Sequence, residues 1–209
     1  MTENNVNAYC KHYTSVSGLL SNVISIYSNL EAFAALKSNG SVVTWGNILL
    51  GGNSSVVVSS FLNGNQTIAQ GASVASSLFG GVVAIYSNKN AFAALKENGS
   101  VVTWGDASYG GNSTITVLSE SGNSATYNST ITEVSSVAGS LSSNITAIYS
   151  NERAFAALKK NGSVVTWGDI YCGGNLTQYN SDNSTEGASV AAQLSSGVVA
   201  IYAAIPFLL

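Results

Sequence analysis

The chain of 209 residues has 7 Lys plus Arg against 10 Asp plus Glu, a net charge of −3, and only 8% charged residues, about a third of the usual share. Neutralising phosphates needs clustered cations, and only Lys159 and Lys160 adjoin, which argues against nucleic acid as a partner. No apolar run approaches the ~18 residues of a membrane span, and at 45% apolar residues the chain is too hydrophobic to read as disordered.

The polar surface falls to neutral groups: 22 Asn, 34 Ser, 14 Thr and 21 Gly, with Pro206 the single proline. That composition suits an all-β, turn-rich protein. Little like-charge repulsion guards such a surface against self-association.

In chain order, the opening MTENNVNAYCKHYT has neither the basic start nor the apolar stretch of a secretory signal. It holds the only histidine, His12, and one of two cysteines, Cys10; the other is Cys172. The two cysteines have no metal-ligand spacing, and read as free thiols or as a disulfide within or between chains.

A joining segment, SVSGLLSNVISIYSN, starts at Ser15, and a body, AFAALKSNGSVVTWGN, starts at Ala32. The body recurs at Ala91 and Ala154, 59 and then 63 residues on. Each body follows IYSN and precedes a Gly-Gly-Asn, at Gly51, Gly110 and Gly173. The joining segment recurs at Val74, Val137 and Val190, so there are three bodies and four joins. We place the repeats within a single domain, 1–209, with bodies at about 26–84, 85–147 and 148–200 and partial joining strands at 15–26 and 190–202.

Each unit reads as short strands. Val82–Tyr86 and Phe92–Lys96 are strand-like, and Asn98-Gly99 is a two-residue hairpin signal repeated at Asn39-Gly40 and Asn161-Gly162. On the returning strand, Val102 and Trp104 share one face, and Val101 and Thr103 the other. The segments at Val74 and Val190 fit a short helical turn or a strand, and Thr114–Val134 diverges most. One unit offers a handful of large apolar side chains, each worth ~1.5–3 kcal/mol when buried. Backbone ordering costs ~1–2 kcal/mol per residue, so the units must stack.

The unit resembles the repeat of the regulator-of-chromosome-condensation family. Val137, Leu141, Ile145, Ile148, Ala157-Leu158, Gly162, Val164, Trp167-Gly168 and Gly173 fall on its pattern, whose core is G-x-V-x-x-W-G. The resemblance implies propeller-blade-like antiparallel repeats. Ala32, Ala91 and Ala154 replace the family's usual His, Ser-Asn its Ala-Gly, and Gly-Gly-Asn its Gly-Gln-Leu-Gly, so no partner-binding residue is carried over. Propellers generally need at least four blades; three bodies imply a compact pseudo-threefold fold, an open array or a piece of a longer chain.

Trp45, Trp104 and Trp167 read as core before they read as a sugar-stacking set, and Tyr27, Tyr86, Tyr149 and Tyr202 as packing. Asn47, Asp106 and Asp169 share one position after Trp-Gly; one carboxylate per unit is too few for a cation site, so they read as turn formers. With one histidine and no carboxylate motif, no catalytic residue, cofactor or metal site is expected.

Ten Asn-x-Ser/Thr sequons are candidate glycosylation sites: Asn39, Asn53, Asn65, Asn98, Asn112, Asn128, Asn144, Asn161, Asn175 and Asn183. The tail Ala203, Ala204, Ile205, Pro206, Phe207, Leu208 and Leu209 is a candidate assembly segment. Half-paired ends, low charge and near-identical repeats lead to a first expectation. It is a non-enzymatic extracellular or cell-surface subunit that self-assembles head to tail or by strand addition into a fibre or surface layer. Its partner is then itself, as an oligomer or helical polymer, with glycans second. The alternative is a lectin-like or protein-binding β-repeat module.

Overall fold

Each IYSN-to-Trp-Gly stretch folds into an antiparallel three-stranded meander. The first is β1 (Val23–Ser28), β2 (Ala32–Lys37) and β3 (Val42–Gly46), followed by a hairpin of β4 (Ser55–Leu62) and β5 (Asn65–Ser73). The second is β6 (Val82–Ser87), β7 (Ala91–Lys96) and β8 (Val101–Asp106), followed by β9 (Thr114–Ser119) and β10 (Thr130–Ser136). The third is β11 (Ile145–Ser150), β12 (Ala154–Lys159) and β13 (Val164–Gly168). This computed structural model describes residues 19–62, 65–119, 130–174, 176 and 190–202.

Register repeats with the sequence. Ile26, Ile85 and Ile148 lie opposite Ala35, Ala94 and Ala157. Phe33, Phe92 and Phe155 lie opposite Trp45, Trp104 and Trp167, and in each pair the rings stack at 5.3 Å. Cross-strand aromatic pairs of this kind stabilise a sheet beyond simple area burial.

The hairpin turn differs from the two-residue form expected. Gly40 is at φ 75°, while Asn39 is not among the positive-φ residues. Gly40 N donates to Lys37 O and Lys37 N to Ser41 O. The loop therefore has three residues with glycine in the left-handed position. Asn39 acts instead through its side chain. Its Oδ1 accepts from Ser41 N and Ser41 Oγ, as Asn98 does from Ser100 and Asn161 from Ser163.

Asn47, Asp106 and Asp169 cap short 3-10 turns at Ile48–Leu50, Ala107–Tyr109 and Ile170–Cys172, each accepting the N–H two residues on. That is the turn chemistry expected of them. The Val74 segment holds a 3-10 turn, Ala75–Leu78, and the Val190 segment begins with turns.

The first two linkers are themselves strands. Hairpin β4–β5 adds to the next meander, β4 running parallel to β8 through Val56–Gly105 and Val57–Asp106, to make a five-stranded sheet of order β5-β4-β8-β7-β6. Hairpin β9–β10 forms a separate two-stranded sheet, with β9 lying beside β13.

Two cores result, one at each junction. Ala32, Ala34, Leu36 and Val42 pack against Ile85, Phe92, Ala94 and Trp104. Ala91, Ala93 and Leu95 pack against Ile148, Phe155, Ala157 and Trp167. The middle sheet is thus covered on both faces, by side chains that alternate along β7 as strand geometry requires. Among the described residues, neither core contains residues of both the first and third meanders, and the second meander contributes to both.

Candidate interaction faces

Both junctions are built from one set of parts. Trp104 Nε1 donates to Gly51 O, and Trp167 Nε1 to Gly110 O, each at 3.1 Å. The Gly-Gly turn of one unit lies on the Phe–Trp stack of the next. A Cβ at Gly51 would stand 2.9 Å from Phe92 and Trp104, and one at Gly110 2.8 Å from Phe155. Backbone rungs run along the series: Leu30 N to Lys89 O, Lys89 N to Glu152 O, Val82 N to Gly40 O and Ile145 N to Gly99 O. Serine hydroxyls add a further rung, Ser87 Oγ to Ser28 O and Ser150 Oγ to Ser87 O, both at 2.8 Å. At the second junction Arg153 also stacks 5.0 Å from the Tyr109 ring and pairs with Asp169 at 2.8 Å.

The asparagine of IYSN is a clasp that sequence reasoning left without a role. Asn88 Oδ1 accepts from Ala91 N and its Nδ2 donates to Tyr109 O, joining the corner to the 3-10 turn. Asn29 and Asn151 repeat this with Ala32 and Leu50, and with Ala154 and Cys172. The available signal was the identity of IYSN in three copies, where the family pattern has Ala-Gly.

The two ends depart from the interior. Phe33 is 42% exposed where Phe92 and Phe155 are 0% and 1%, and Ile26 is 59% exposed where Ile85 and Ile148 are both 3%. Trp104 and Trp167 are core as expected, but Trp45 is only half-buried. Among the described residues no carbonyl receives its indole N–H. Tyr27 and Tyr86 pack against the cores, whereas Tyr202 is 94% exposed, contrary to the packing role expected. At the far end Gly173 is exposed, and among the described residues a Cβ there would meet only Asn151 Nδ2.

The polar groups are spent on structure. Among the described residues no three His, Cys, Asp or Glu converge as a metal would require. Burial raises the Asp106 carboxyl above its ordinary range, opposed by hydrogen bonds from Ser108 and Asn90. Burial, then the charge of Asp169, raises the thiol of Cys172 above its ordinary range. A shallow depression of about 440 Å³ is lined by Asn144, Lys159, Lys160 and Asn161, where Lys159 Nζ already donates to Ser140 O.

Asn39, Asn98 and Asn161 stand exposed at hairpin tips, and Asn144 is exposed at positive φ. Asn112 and Asn53 are half-buried, and among the described residues the buried Asn53 Oδ1 has no hydrogen-bond partner. Asn65 opens β5. Cys10, Asn128, Asn175, Asn183 and the segment Ala203–Leu209 lie outside the described residues, as therefore does any Cys10–Cys172 bridge.

No protein-family model matches the chain, and no curated protein matches it. Among solved structures it is similar to Prp20p from Saccharomyces cerevisiae, described with its binding properties to Gsp1p and histones. That match has 16% identity and a TM-score of 0.43, over 72% of this chain and 34% of that one. It is also similar to yeast RCC1 (Prp20) bound to Kap60, at 18% identity and TM-score 0.40 over 78% and 35% of the two chains. Human WBSCR16 matches at 18% identity and TM-score 0.36, over 73% and 35%. The chain thus spans about a third of the length of each. Three antiparallel meanders in series, each carrying G-x-V-x-x-W-G, are consistent with RCC1-like propeller repeats.

Proposed function

We propose that the chain is a non-enzymatic, protein-binding β-repeat module whose binding surface is the open face of its first sheet. One observation carries this reading. The sequence AFAALK…VVTWG is covered by a neighbouring unit in the second and third copies, but presents Phe33, Ile26 and half-buried Trp45 in the first. A face that is a core elsewhere in the same chain is shaped for a partner of the same kind. So few charges leave little electrostatic steering, so apolar contact and backbone rungs supply the affinity. The yeast structures describe proteins that bind Gsp1p, histones and Kap60; binding to protein is the general property we extend to this chain.

The test is a nuclear magnetic resonance titration of the full chain up to millimolar concentration, which detects binding as weak as about 4 kcal/mol. The Trp45 indole and β1–β3 amides are expected to shift with concentration, and Phe33→Asp to abolish the effect. Resonances that stay fixed throughout would refute the reading.

A second, more specific reading makes the chain a self-assembling subunit of a fibre or layer outside the cell. It draws support from the exposed hairpin-tip sequons at Asn39, Asn98 and Asn161 and from the low charge. Head-to-tail contacts give rings or filaments according to whether the rotation closes. Intact mass of the native material checks the glycans: a mass equal to the bare polypeptide removes them. Electron microscopy checks the polymer.

A further inference from the structure

The segment from Val190 to Tyr202 occupies a seat that interior joins also occupy. Val164 N donates to Leu194 O, and Val198 N to Gly162 O, both at 2.9 Å. At the preceding junction Val101 N donates to Leu141 O and Ile145 N to Gly99 O. The turn glycines press on the same place: a Cβ on Gly162 would stand 2.6 Å from Gly197 N, and one on Gly99 2.9 Å from Asn144 N.

Past Val198 the likeness ends. Gly197–Tyr202 has the same sequence, GVVAIY, as Gly81–Tyr86. The earlier copy forms β6, paired with β7 from Val82–Lys96 through Ser87–Phe92. The later copy forms no strand, and Val199 and Tyr202 are over nine-tenths exposed. The residues after Tyr202 are AAIPFLL, where the earlier copy runs on into the AFAALK strand that pairs with it.

The opposite end has the complementary problem. β1 is fully paired with β2. The leucine ahead of it, Leu19, is 54% exposed, whereas Leu78 and Leu141 in the same position are 1%. One end therefore holds a filled seat whose occupant forms no strand over Gly197–Tyr202. The other holds a paired strand whose leucine has no seat.

We propose that residues 190–202 are a cap held in cis, which a second copy of this chain displaces with its own residues 19–28. In that junction Leu19 takes the place of Leu194, and Val23 N donates to Gly162 O. The second copy's Phe33–Trp45 stack covers the exposed Gly173 turn, with Trp45 Nε1 donating to Gly173 O. Ser28 Oγ reaches Ser150 O. Each contact copies one made at both interior junctions, which is why the occupant is this chain. The incoming copy brings a three-stranded sheet with Ile26, Phe33 and Trp45, where the cap has no ladder. The inference rests on the binding reading above and adds a partner and a control element.

Self-association is measured by sedimentation for the wild type, for Leu194→Asp, and for a chain ending at Ser189. Both cap variants are expected to associate at least about tenfold more tightly, a change of about 1.4 kcal/mol. A synthetic peptide of residues 190–202 is expected to reverse this, as is Trp45→Ala in the cap variants. Orientation has its own readout. Tyr109 lies against Arg153 at the second junction, and the equivalent positions in the new one are Cys172 and the second copy's Glu31. Glu31→Cys, in a Cys10→Ser background, is expected to link chains through Cys172 with a short bismaleimide. If the shortened chain fails to fold by circular dichroism, Leu194→Asp and the peptide decide. Cap variants that associate no better than wild type overturn the cap; if the wild type still associates through Phe33, the binding reading survives. Cap variants that stay monomeric at every concentration sink both.

Discussion

The first and second meanders share nearly all of their body sequence and differ in what lies in front of them. In the second, Phe92 and Trp104 are sealed beneath the Gly51 turn and the indole N–H is bonded. In the first, the stack has the same 5.3 Å geometry but stands in the open. The hairpin geometry is therefore local, and its burial belongs to the neighbour. For a repeat that cannot bury its own face, most of the stabilisation sits in the junctions, as in other serial repeat proteins.

The widest contrast should come from tryptophan removal. Trp104→Ala opens a cavity in a sealed core and is expected to cost ~3–5 kcal/mol, whereas Trp45→Ala on the open face costs only about 1 kcal/mol. Denaturant unfolding measures both, and equal losses would mean that the first face is covered in solution.

The glycines come next. Gly110 is at φ 88° with Phe155 and Trp167 against it, whereas Gly173 is at φ 94° and, among the described residues, a Cβ there would meet only Asn151 Nδ2, at an ordinary contact distance of 3.8 Å. Left-handed strain costs ~1–2 kcal/mol at either site on substitution by alanine, and overpacking adds ~1–3 kcal/mol at Gly110 alone. Thermal unfolding of Gly110→Ala and Gly173→Ala should differ by the second amount.

A weaker effect separates Asn47 from Asp106. Both cap the same turn, but burial holds the Asp106 proton more tightly in the folded chain than in the unfolded one. Stability from this group is therefore greatest below the unfolded-state pKa. It falls as pH rises to the higher folded-state value, then stays level. Asp106→Asn should keep the cap, remove that slope just above the ordinary Asp range, and leave stability at neutral pH unchanged or raised. Lys89→Ala should matter least. Its 2.8 Å pair with Glu152 is exposed on both sides, so any loss should vanish in high salt.

Much of the meander was legible because strand period and repetition agree. The split of Val102 with Trp104 from Val101 follows from alternation, and the two sides do face different cores. The turn type was misread because Asn-Gly suits both a two-residue and a three-residue loop, and only the Lys37–Ser41 bond separates them. The parallel β4–β8 pairing joins residues about fifty positions apart, and no local pattern announces it. The clasp by Asn29, Asn88 and Asn151 was visible only as an identity without a reason. The contrast between Trp45 and Trp104 was beyond any local reading, since VVTWG is the same around both.

A neighbouring unit, rather than the unit's own strands, seals each aromatic stack. Hydrogen exchange of the three indole N–H groups at low protein concentration reads this out stack by stack. Trp104 and Trp167, bonded to Gly51 and Gly110, should exchange slowly, near the rate of global unfolding, and Trp45 faster by orders of magnitude. Equal protection of all three in the monomer would show that a unit can seal its own stack, and the junctions would lose the role given to them here.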